Sequence, residues 1–278
     1  MCRWLAYSGT PVLIENLLYE GHHSLIDQSL HSRFGAETTN GDGFGLGWYG
    51  VGDEAGVFHS TEPAWNDRNL RELAAHVRSP MVFAHIRASS GAPVQQTNCH
   101  PFRRGRFLWM HNGLIHDFHL IKRDLLLTVD PQLFPEIQGT TDSETLFFLA
   151  LSFGLEDDPP SAVARAIGLV EDVGRRHGIE HPFQGTIATT DGTRLWAFRY
   201  SSKGASRSLY FSTNVDVLRA LYPDNPRLDG LGDESRLVVS EPLGDLPGVW
   251  NEVPEATYGV IQPGQDELHA FAPRAPVT

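Results

Sequence analysis

An apolar helix in the middle of the chain constrains the fold more than any other feature. Thr141-Asp142-Ser143-Glu144 is a capping-box pattern, in which Thr and Glu side chains satisfy free N–H groups at the start of a helix. The body that follows, from Leu146 to Phe153, is apolar almost all round. A helix of this kind is stable only when other elements cover every side of it. The sequence therefore predicts an internal helix within a layered fold.

Predicted strands lie on both sides of this helix along the chain. Two further helices are predicted, one over 66–78 and one that begins at Asp158, whereas residues 12–34 carry no clear pattern. Strands, then helices, then strands again predict an α+β fold of two packed sheets with helices outside. No linker or repeat interrupts the chain, so a single domain over residues 1–278 is expected. The strand candidates are residues 3–8, 81–87, 107–111, 186–189, 194–200, 208–212, 237–239 and 257–261.

A glycine-rich segment combines a turn with an unusual strand. Its first half, Asn40-Gly41-Asp42-Gly43, is typical of a turn. In its second half, glycine alternates with large apolar residues up to Trp48, which predicts a strand that other backbone or a ligand approaches closely. No Lys followed by Ser or Thr comes after it, so a phosphate-binding loop is not indicated.

Charge and composition exclude several classes of function. The 278 residues include 34 acidic and 22 basic side chains, a formal net charge of −12, which opposes non-specific binding to nucleic acids and anionic membranes. The chain has no run of about eighteen apolar residues and no basic segment followed by an apolar one at its start, so neither a membrane span nor a secretory signal is expected. Cys2 and Cys99 cannot form a disulfide framework, and a reducing, cytoplasmic setting is expected.

Cys2 is the residue with the most chemical meaning. A small residue at position two normally allows removal of Met1, which leaves Cys2 with a free α-amino group and a mature chain of residues 2–278. The pKa of an α-amine is about 7.7–8.0 and that of a thiol about 8.5, so the amine can take the thiol proton at neutral pH. One residue then supplies both a nucleophile and its base. Because a cysteine at position two also occurs by chance, it does not establish a function alone.

Three other positions offer what such a nucleophile needs. Attack on an amide carbonyl creates an oxyanion that requires hydrogen-bond donors, and Asn112-Gly113 offers a side-chain amide and an unobstructed backbone N–H. Arg87, at the end of a predicted strand, can bind a carboxylate through two hydrogen bonds. Asp142, in the first turn of the internal helix, can bind an ammonium group. Each position has a structural alternative, namely an Asn-Gly turn, a strand-end arginine, and an acid that complements the helix dipole.

Six segments, taken together, resemble the class II glutamine amidotransferases, whose nucleophile is an N-terminal cysteine. The opening Met-Cys-Arg-Trp-Leu-Ala-Tyr resembles the stand-alone branch, which includes γ-glutamyl hydrolases of ergothioneine biosynthesis and glutathione breakdown. The resemblance implies the N-terminal-nucleophile hydrolase fold, a four-layer αββα sandwich of two antiparallel sheets. The matching segments, in the family's order over about 145 residues, are 1–7, 40–47, 85–87, 98–102, 111–113 and 141–144.

The resemblance also implies an enzyme that hydrolyses a γ-glutamyl amide through a thioester, with neither a cofactor nor a metal. Cys2 attacks the γ-carbonyl of glutamine or of a γ-glutamyl compound, while Asn112 and Gly113 form the oxyanion hole. Arg87 holds the α-carboxylate of the glutamyl group and Asp142 holds its α-ammonium group. Because free glutamyl ends carry opposite charges, this pair fixes their orientation and rejects internal peptide glutamines.

The chain departs from the family pattern at two places. Small residues, Ala88-Ser89-Ser90, follow Arg87 where many relatives carry an aromatic residue. The pocket wall is therefore expected to be smaller and to admit a leaving group larger than ammonia. Asn40-Gly41-Asp42 stands where an Arg-Gly pair is usual, which leaves Asn40 and Asp42 as the two candidates for a contact to the N-terminal amine.

Other interpretations stay open at this point. Because the chain has roughly the length of one glutaminase domain, the expected acceptor is either water or the substrate site of a separate ammonia-accepting synthase; homo-oligomerisation is also left open. A non-catalytic binding module of the same fold is the alternative to an enzyme that acts on a small molecule. Thirteen histidines raise the question of a metal site. A structural zinc site usually needs Cys or His ligands in tightly spaced pairs, and with only two cysteines the chain shows no such pattern. His100 is expected either to support the site or to be an ordinary core histidine.

Overall fold

The computed structural model of the chain describes residues 2–34, 39–89, 91–262 and 266–276. Its helices are α1 (Ile14–Leu18), α2 (Leu25–Leu30), α3 (Arg68–His76), α4 (Phe118–Leu126), α5 (Asp142–Ser152), α6 (Pro159–Arg176) and α7 (Val215–Leu221). Its strands are β1 (Arg3–Leu13), β2 (Phe44–Trp48), β3 (Gly56–Ser60), β4 (Arg78–Ile86), β5 (Phe102–Arg104), β6 (Phe107–Ile115), β7 (Phe183–Thr190), β8 (Leu195–Ser201), β9 (Tyr210–Ser212), β10 (Arg236–Val239), β11 (Trp250–Glu252), β12 (Thr257–Ile261) and β13 (Glu267–Ala270). None of the helices in these ranges combines the length and the apolar character that crossing a membrane requires.

The strands of the described ranges form two antiparallel sheets. Sheet A has the order β11-β9-β10-β1-β4-β2-β3, and sheet B has the order β13-β12-β8-β7-β6-β5. The first strand of the chain, β1, lies inside sheet A, where it pairs with β10 on one side and with β4 on the other. In sheet B, β6 pairs with β7 along its whole length.

Three apolar clusters show how the layers stack. The first lies between sheet A and the helices α1 to α3, the second fills the space between the two sheets, and the third lies between sheet B and the helices α4 to α6. The molecule is thus a four-layer αββα sandwich, as the sequence predicts. Representative members are Leu17 and Leu46 in the first cluster, Phe83 and Met110 in the second, and Phe147 and Ile187 in the third.

The predicted internal helix is α5, and every residue from Ser143 to Leu151 is buried. The Thr141 side chain caps it by accepting a hydrogen bond from the N–H of Glu144. The Glu144 carboxylate does not return to Thr141, as a full capping box requires; it accepts hydrogen bonds from the N–H groups of Gln138 and Gly139 at 2.9 and 2.7 Å. Only the Thr141 half of the predicted capping box therefore forms. Glu144, the other half, instead holds the loop before the helix.

The remaining helix predictions hold within a few residues, and the shortest elements are those that the sequence misses. The helix predicted over 66–78 spans Arg68–His76, and Asp158 caps α6 as expected. In the unassigned region 12–34 the chain forms α1 and α2, of five and six residues. Helices this short hold less than two turns, so their apolar periodicity cannot stand out from chance.

Glycine in β2 allows a neighbouring segment to approach at backbone distance. A Cβ atom on Gly45 would lie 2.2 Å from the carbonyl oxygen of His100 and 2.5 Å from the His59 ring. Both distances are far below van der Waals contact, so only glycine fits. The close approach that the sequence predicts for this strand is confirmed, and it places the segment around His100 directly against sheet A.

Replacing Gly45 by alanine is expected to destabilise the fold by about 1–3 kcal/mol, because the added methyl group must displace the His100 backbone. The free energy of unfolding from urea titration measures this loss. Gly50→Ala is the matched control, since a Cβ atom there meets nothing within 4 Å. Equal losses in the two variants would show that close packing at Gly45 is not the cause.

Candidate active site

The thiol of Cys2 lies beside the segment that follows β4. In the β1–β4 ladder Arg3 is opposite Ile86, so Cys2 reaches the residues just past the end of β4. The N–H of Ala88 lies 3.3 Å from Cys2 Sγ, and the carbonyl oxygen of Ala88 lies 3.4 Å from it. The Cys2 side chain is half-buried, whereas Met1 lies outside the described residues. The sulfur is therefore held in place while part of it stays accessible.

Two side chains fix the main chain of Cys2. The amide Nδ2 of Asn112, in β6, donates to the Cys2 carbonyl oxygen at 2.9 Å, and Nη1 of Arg3 donates to the same oxygen at 3.0 Å. Asn112 and Arg3 are both buried. Because Asn112 belongs to sheet B and Cys2 precedes β1 of sheet A, this contact joins the two sheets at Cys2.

Gly113 follows Asn112 and occupies a position that excludes any side chain. In the β6–β7 ladder it is opposite Gly185. A Cβ atom on Gly113 would lie 2.1 Å from the carbonyl oxygen of Gln184 and 2.5 Å from Nε2 of His111. The Asn-Gly pair is thus part of a strand and not a turn, which removes the main structural alternative for these two residues.

Arg87 is buried and carries no ion pair within the described residues. Its Nη1 donates to the carbonyl oxygen of Asp42 at 3.3 Å, and its Nη2 donates to the Ser89 hydroxyl at 3.1 Å and the Ala92 carbonyl at 3.3 Å. All of these acceptors are neutral. A buried guanidinium without a compensating anion is costly, so its charge is suited to binding an anionic group from outside.

Asp42 positions the segment that contacts the nucleophile. Its Oδ2 accepts a hydrogen bond from the N–H of Ser89 at 2.7 Å. Its main chain bonds to Arg87 as well, with the Asp42 N–H donating to the Arg87 carbonyl at 3.1 Å. Since Ala88 lies between these two residues, Asp42 holds the backbone against which Cys2 Sγ rests. The contact of Asp42 to the N-terminal amine stays a prediction.

Asp142 ties the end of β6 to the start of α5. Its Oδ2 accepts from the N–H of Ile115 at 2.8 Å, and its Oδ1 accepts from the N–H of Ser143 at 2.8 Å. Ile115 is three residues past Asn112 on the same strand. The fold therefore brings the Asp142 carboxylate to the same end of β6 as Asn112 and Gly113.

Asn40 and His100 lie behind these residues. The Nδ2 of Asn40 donates to the Gln28 carbonyl at 3.3 Å, and its Oδ1 is buried without a hydrogen-bond partner in the described residues. The ring of His100 packs between those of His85 and Phe102, with centroid distances of 4.3 and 4.4 Å. His85 lies in β4, two residues before Arg87, which directly follows that strand. His100 therefore supports the strand that leads to Arg87.

Sequence reasoning missed a buried carboxylate, Glu241, that anchors the start of β1. Its Oε2 accepts from Nε of Arg3 at 2.8 Å and its Oε1 bonds Nε2 of His23 at 2.5 Å. The N–H groups of Arg33 and Phe34 donate to the same carboxylate at 2.9 and 3.1 Å. Burial works to raise the pKa of Glu241, but the hydrogen bonds from His23 and Arg33 and the charge of Arg3 outweigh it and lower that pKa. The only signal in the sequence is Ser240-Glu241-Pro242, and nothing there points to Arg3.

Three histidines next to the candidate site, His85, His100 and His111, are buried and neutral. Burial lowers the pKa of His85 to about 3 and that of His111 to about 4, and it holds the pKa of His100 well below its usual range. Nδ1 of His111 bonds the Ser143 hydroxyl at 2.9 Å, whereas both ring nitrogens of His85 and His100 lack partners in the described residues. Over those same ranges, no three His, Cys, Asp or Glu side chains converge as ligands for one metal ion.

Comparison with known proteins places the chain in a family. Residues 22–214 match the family model of the class II glutamine amidotransferases, well over half of the chain. The chain belongs to the class II glutamine amidotransferases. The predicted family, fold and enzyme class are thereby confirmed.

Relatives of this amidotransferase match nearly its whole length. It is 34% identical over 300 aligned positions to the probable glutamine amidotransferase DUG3 of Saccharomyces cerevisiae, covering 97% of this chain and 84% of the yeast protein. It is 28% identical to the γ-glutamyl-hercynylcysteine sulfoxide hydrolase of Mycolicibacterium smegmatis, covering 92% of this chain and 93% of the hydrolase.

Solved structures share the fold of the amidotransferase. A glutamine aminotransferase class II domain protein of Silicibacter pomeroyi superimposes with a TM-score of 0.74 and 32% identity, covering 98% of this chain and all 100% of that one. The glutamine phosphoribosylpyrophosphate amidotransferase of B. subtilis shares the fold with a TM-score of 0.63 at 15% identity, covering 99% of this chain and 50% of that one.

Replacing Glu241 by glutamine is expected to destabilise the amidotransferase by about 3–5 kcal/mol, because Arg3 is left buried without its anion. Urea unfolding measures the loss. Asp245→Asn is the matched control, since it removes a neighbouring carboxylate that pairs with Arg33 on the surface, and it is expected to cost far less. A Glu241→Gln loss no larger than that of the control would contradict an anchoring role.

Stability is expected to fall on acidification because of the buried histidines. Their folded pKa values lie below the value of about 6.5 expected in the unfolded chain, so the unfolded chain binds more protons below that pH. Their contribution is full above about pH 6.5 and is lost as the pH falls towards their folded values. His100→Phe, which keeps an aromatic ring in the stack, removes one of these groups.

The slope of unfolding free energy against pH between about 5 and 6 is expected to be smaller in His100→Phe by up to about 1.4 kcal/mol per pH unit. Urea titrations across this range measure the slope. His76→Gln, an exposed substitution on α3, controls for the loss of a histidine. An unaltered slope in His100→Phe would show that His100 does not titrate on unfolding.

Proposed function

We propose that this amidotransferase hydrolyses γ-glutamyl amides through a γ-glutamyl thioester on Cys2. The observation that carries the proposal is that the half-buried Cys2 thiol rests against Ala88, the residue after Arg87, while the Asn112 amide bonds the Cys2 carbonyl. Arg87 itself bonds only neutral acceptors within the described residues. A nucleophile, an oxyanion donor and a carboxylate-binding cation are the parts that hydrolysis of a γ-glutamyl amide requires.

The first half of the reaction forms the thioester. After removal of Met1, the α-amine of Cys2 takes the proton of the thiol, and Sγ attacks the γ-carbonyl carbon of the substrate. When the tetrahedral intermediate collapses, the carbon–nitrogen bond breaks and the amine or ammonia leaves with the proton. Water then attacks the thioester, which releases glutamate and restores the thiol.

Asn112 and Gly113 stabilise the oxyanion in this scheme. A side-chain amide has two N–H donors, and one of those on Asn112 is used by the Cys2 carbonyl. The second donor is left for the oxyanion, together with the backbone N–H of Gly113. The bond to the Cys2 carbonyl keeps the amide close to the sulfur.

Arg87 and Asp142 recognise the two charges of the glutamyl group. Arg87 has no anionic partner in the described residues, so it can take the α-carboxylate without breaking an ion pair. Each oxygen of Asp142 accepts a main-chain N–H. Oδ1 also accepts the Ser143 hydroxyl at 3.4 Å, so Oδ2 keeps the further lone pair for the α-ammonium group. Asp42 and Asn40 are the candidates to hold the Cys2 amine, and the buried, unpartnered Oδ1 of Asn40 supports it as the acceptor.

A glutaminase that supplies ammonia to a separate synthase is the second candidate. The small side chains after Arg87 favour hydrolysis of larger γ-glutamyl compounds, because they leave room beside the thiol. The relative from Mycolicibacterium smegmatis acts, by its name, on a γ-glutamyl compound larger than glutamine. A reducing, cytoplasmic location is part of the proposal, supported by the two free cysteines.

Cys2→Ala is expected to lower γ-glutamyl hydrolysis by about 10³-fold or more, because the nucleophile is lost. Treatment of the wild type with a γ-electrophilic glutamine analogue is expected to add its mass to the peptide that carries Cys2. Glutamate release and peptide mass spectrometry measure the two outcomes.

Cys99→Ala is the matched control. Burial raises the pKa of the Cys99 thiol to about 11, so this cysteine stays protonated, and its replacement is expected to leave both hydrolysis and labelling in place. Turnover that survives in Cys2→Ala, or a label on Cys99, would contradict the proposal. Active protein whose intact mass includes Met1 would contradict the α-amine as base.

A further inference from the structure

Arg207 lies in a tethered segment that packs against the start of β1. On one side of it, the N–H of Ser206 donates to Oε2 of Glu255 at 2.9 Å. On the other side, the hydroxyl of Ser208 donates to the carbonyl of Ser240 at 2.8 Å, and the N–H of Ser240 donates to the carbonyl of Trp4 at 3.1 Å. The segment is thus fixed two residues along β1 from Cys2.

The Arg207 guanidinium forms no ion pair within the described residues, and its charge acts on Cys2. Its Nε is buried and has no hydrogen-bond partner in the part of the chain that the structure describes. Burial lowers the pKa of Arg207, the nearby Cys2 raises it, and Arg3 lowers it, with no carboxylate among these groups. The charge of Arg207 also reaches His111, where it lowers the pKa of the ring. The charge of Arg207 thus acts on both Cys2 and His111 of β6.

Arg3, the other arginine near Cys2 in this region, has its own carboxylate in Glu241. Arg207 has none, although leaving a partly buried guanidinium unpaired is costly. Nothing in the chemistry of the glutamyl group uses it either, because Arg87 takes the single α-carboxylate. A second anionic group of the substrate would satisfy it.

Space for a larger leaving group lies next to this segment. A groove of about 440 Å³ is lined in part by Gln184, Lys203 and Ala205. Nε2 of Gln184 donates to the carbonyl of Ala205 at 2.7 Å, and the carbonyl of Gln184 faces Gly113. The groove thus lies at the start of β7, the strand that pairs with β6, and reaches Ala205, two residues before Arg207. Its lining carries a positive charge on Lys203 and a negative charge on Asp117.

Building on the proposed function, we propose that Arg207 binds a carboxylate on the amine portion of the substrate. The preferred substrates are then γ-glutamyl amino acids or peptides with a free carboxylate, and glutamine, whose leaving group is ammonia, uses only half of the site. Arg87 and Arg207 hold two anions on opposite sides of the bond that breaks. A guanidinium suits this task because it binds a carboxylate through two parallel hydrogen bonds.

The test compares γ-glutamylglycine and γ-glutamylglycylglycine with their C-terminal amides, and with glutamine, by steady-state kinetics. The wild type is expected to prefer the acid over the amide by about tenfold or more in kcat/KM for at least one length, because the amide removes the charge. In Arg207→Ala this preference is expected to shrink to about threefold or less, mainly through a higher KM for the acid. Arg207→Lys is expected to restore part of it.

Arg194→Ala is the matched control, since Arg194 pairs with Asp191 in the turn at the other end of β7, and it is expected to keep the wild-type preference. If the wild type hydrolyses the acid and the amide with equal kcat/KM at both peptide lengths, that result alone would overturn the inference, before any variant is measured. So would an Arg207→Ala effect that is as large for glutamine as for the acids, which would assign Arg207 to activation of the thiol.

The two proposals fail in different ways. If the wild type hydrolyses none of these compounds and Cys2 takes no label, the proposed function itself is wrong. If it hydrolyses them without preference for a carboxylate, only the role of Arg207 is wrong.

Discussion

The buried ion pair between Arg3 and Glu241 holds the main chain of Cys2 where the rest of the candidate site needs it. Arg3 uses one part of its guanidinium for Glu241 and another for the carbonyl of Cys2, so the carboxylate acts on Cys2 through a single side chain. The same carbonyl receives the amide of Asn112. Residues near a chain terminus are ordinarily among the least ordered, and here Cys2 is fixed from both sheets.

Around this anchor, the ends of three elements converge. The residues after β4 supply the backbone at the thiol, β6 supplies Asn112 and Gly113, and the first turn of α5 supplies Asp142. Glycine at position 45 allows the His100 segment to lie against β2, and glycine at position 113 allows the close approach of β7, since a methyl group at either would overlap neighbouring atoms. The rigid layers of the sandwich thereby set the distances at the site, and the neutral histidines below Arg87 add bulk without adding charge.

Local pattern and family resemblance were enough to predict the layered α+β fold and the internal helix, whereas the roles of the site residues stay predictions. In the sequence, Asn112-Gly113 follow one predicted strand, Arg87 ends another, and Asp142 begins the internal helix, so each was visible beside a clear apolar pattern. The partner of Arg3 was out of reach because the contact joins distant parts of the chain. Glu241 is 238 residues from Arg3, and no periodicity links two such positions. Likewise, an unpaired arginine is visible only after every carboxylate nearby has been placed.

The position of β1 inside sheet A has a consequence for how the protein matures. Its partner β4 follows within the first third of the chain, but β10, which pairs Val239 with Leu5, is made after most of the other elements. During synthesis the first strand therefore has one open edge until the ribosome has released residues 236–239. The edge that β10 covers is thus among the last to close, and the main chain next to Cys2 is confined on both sides only after most of the chain has been made.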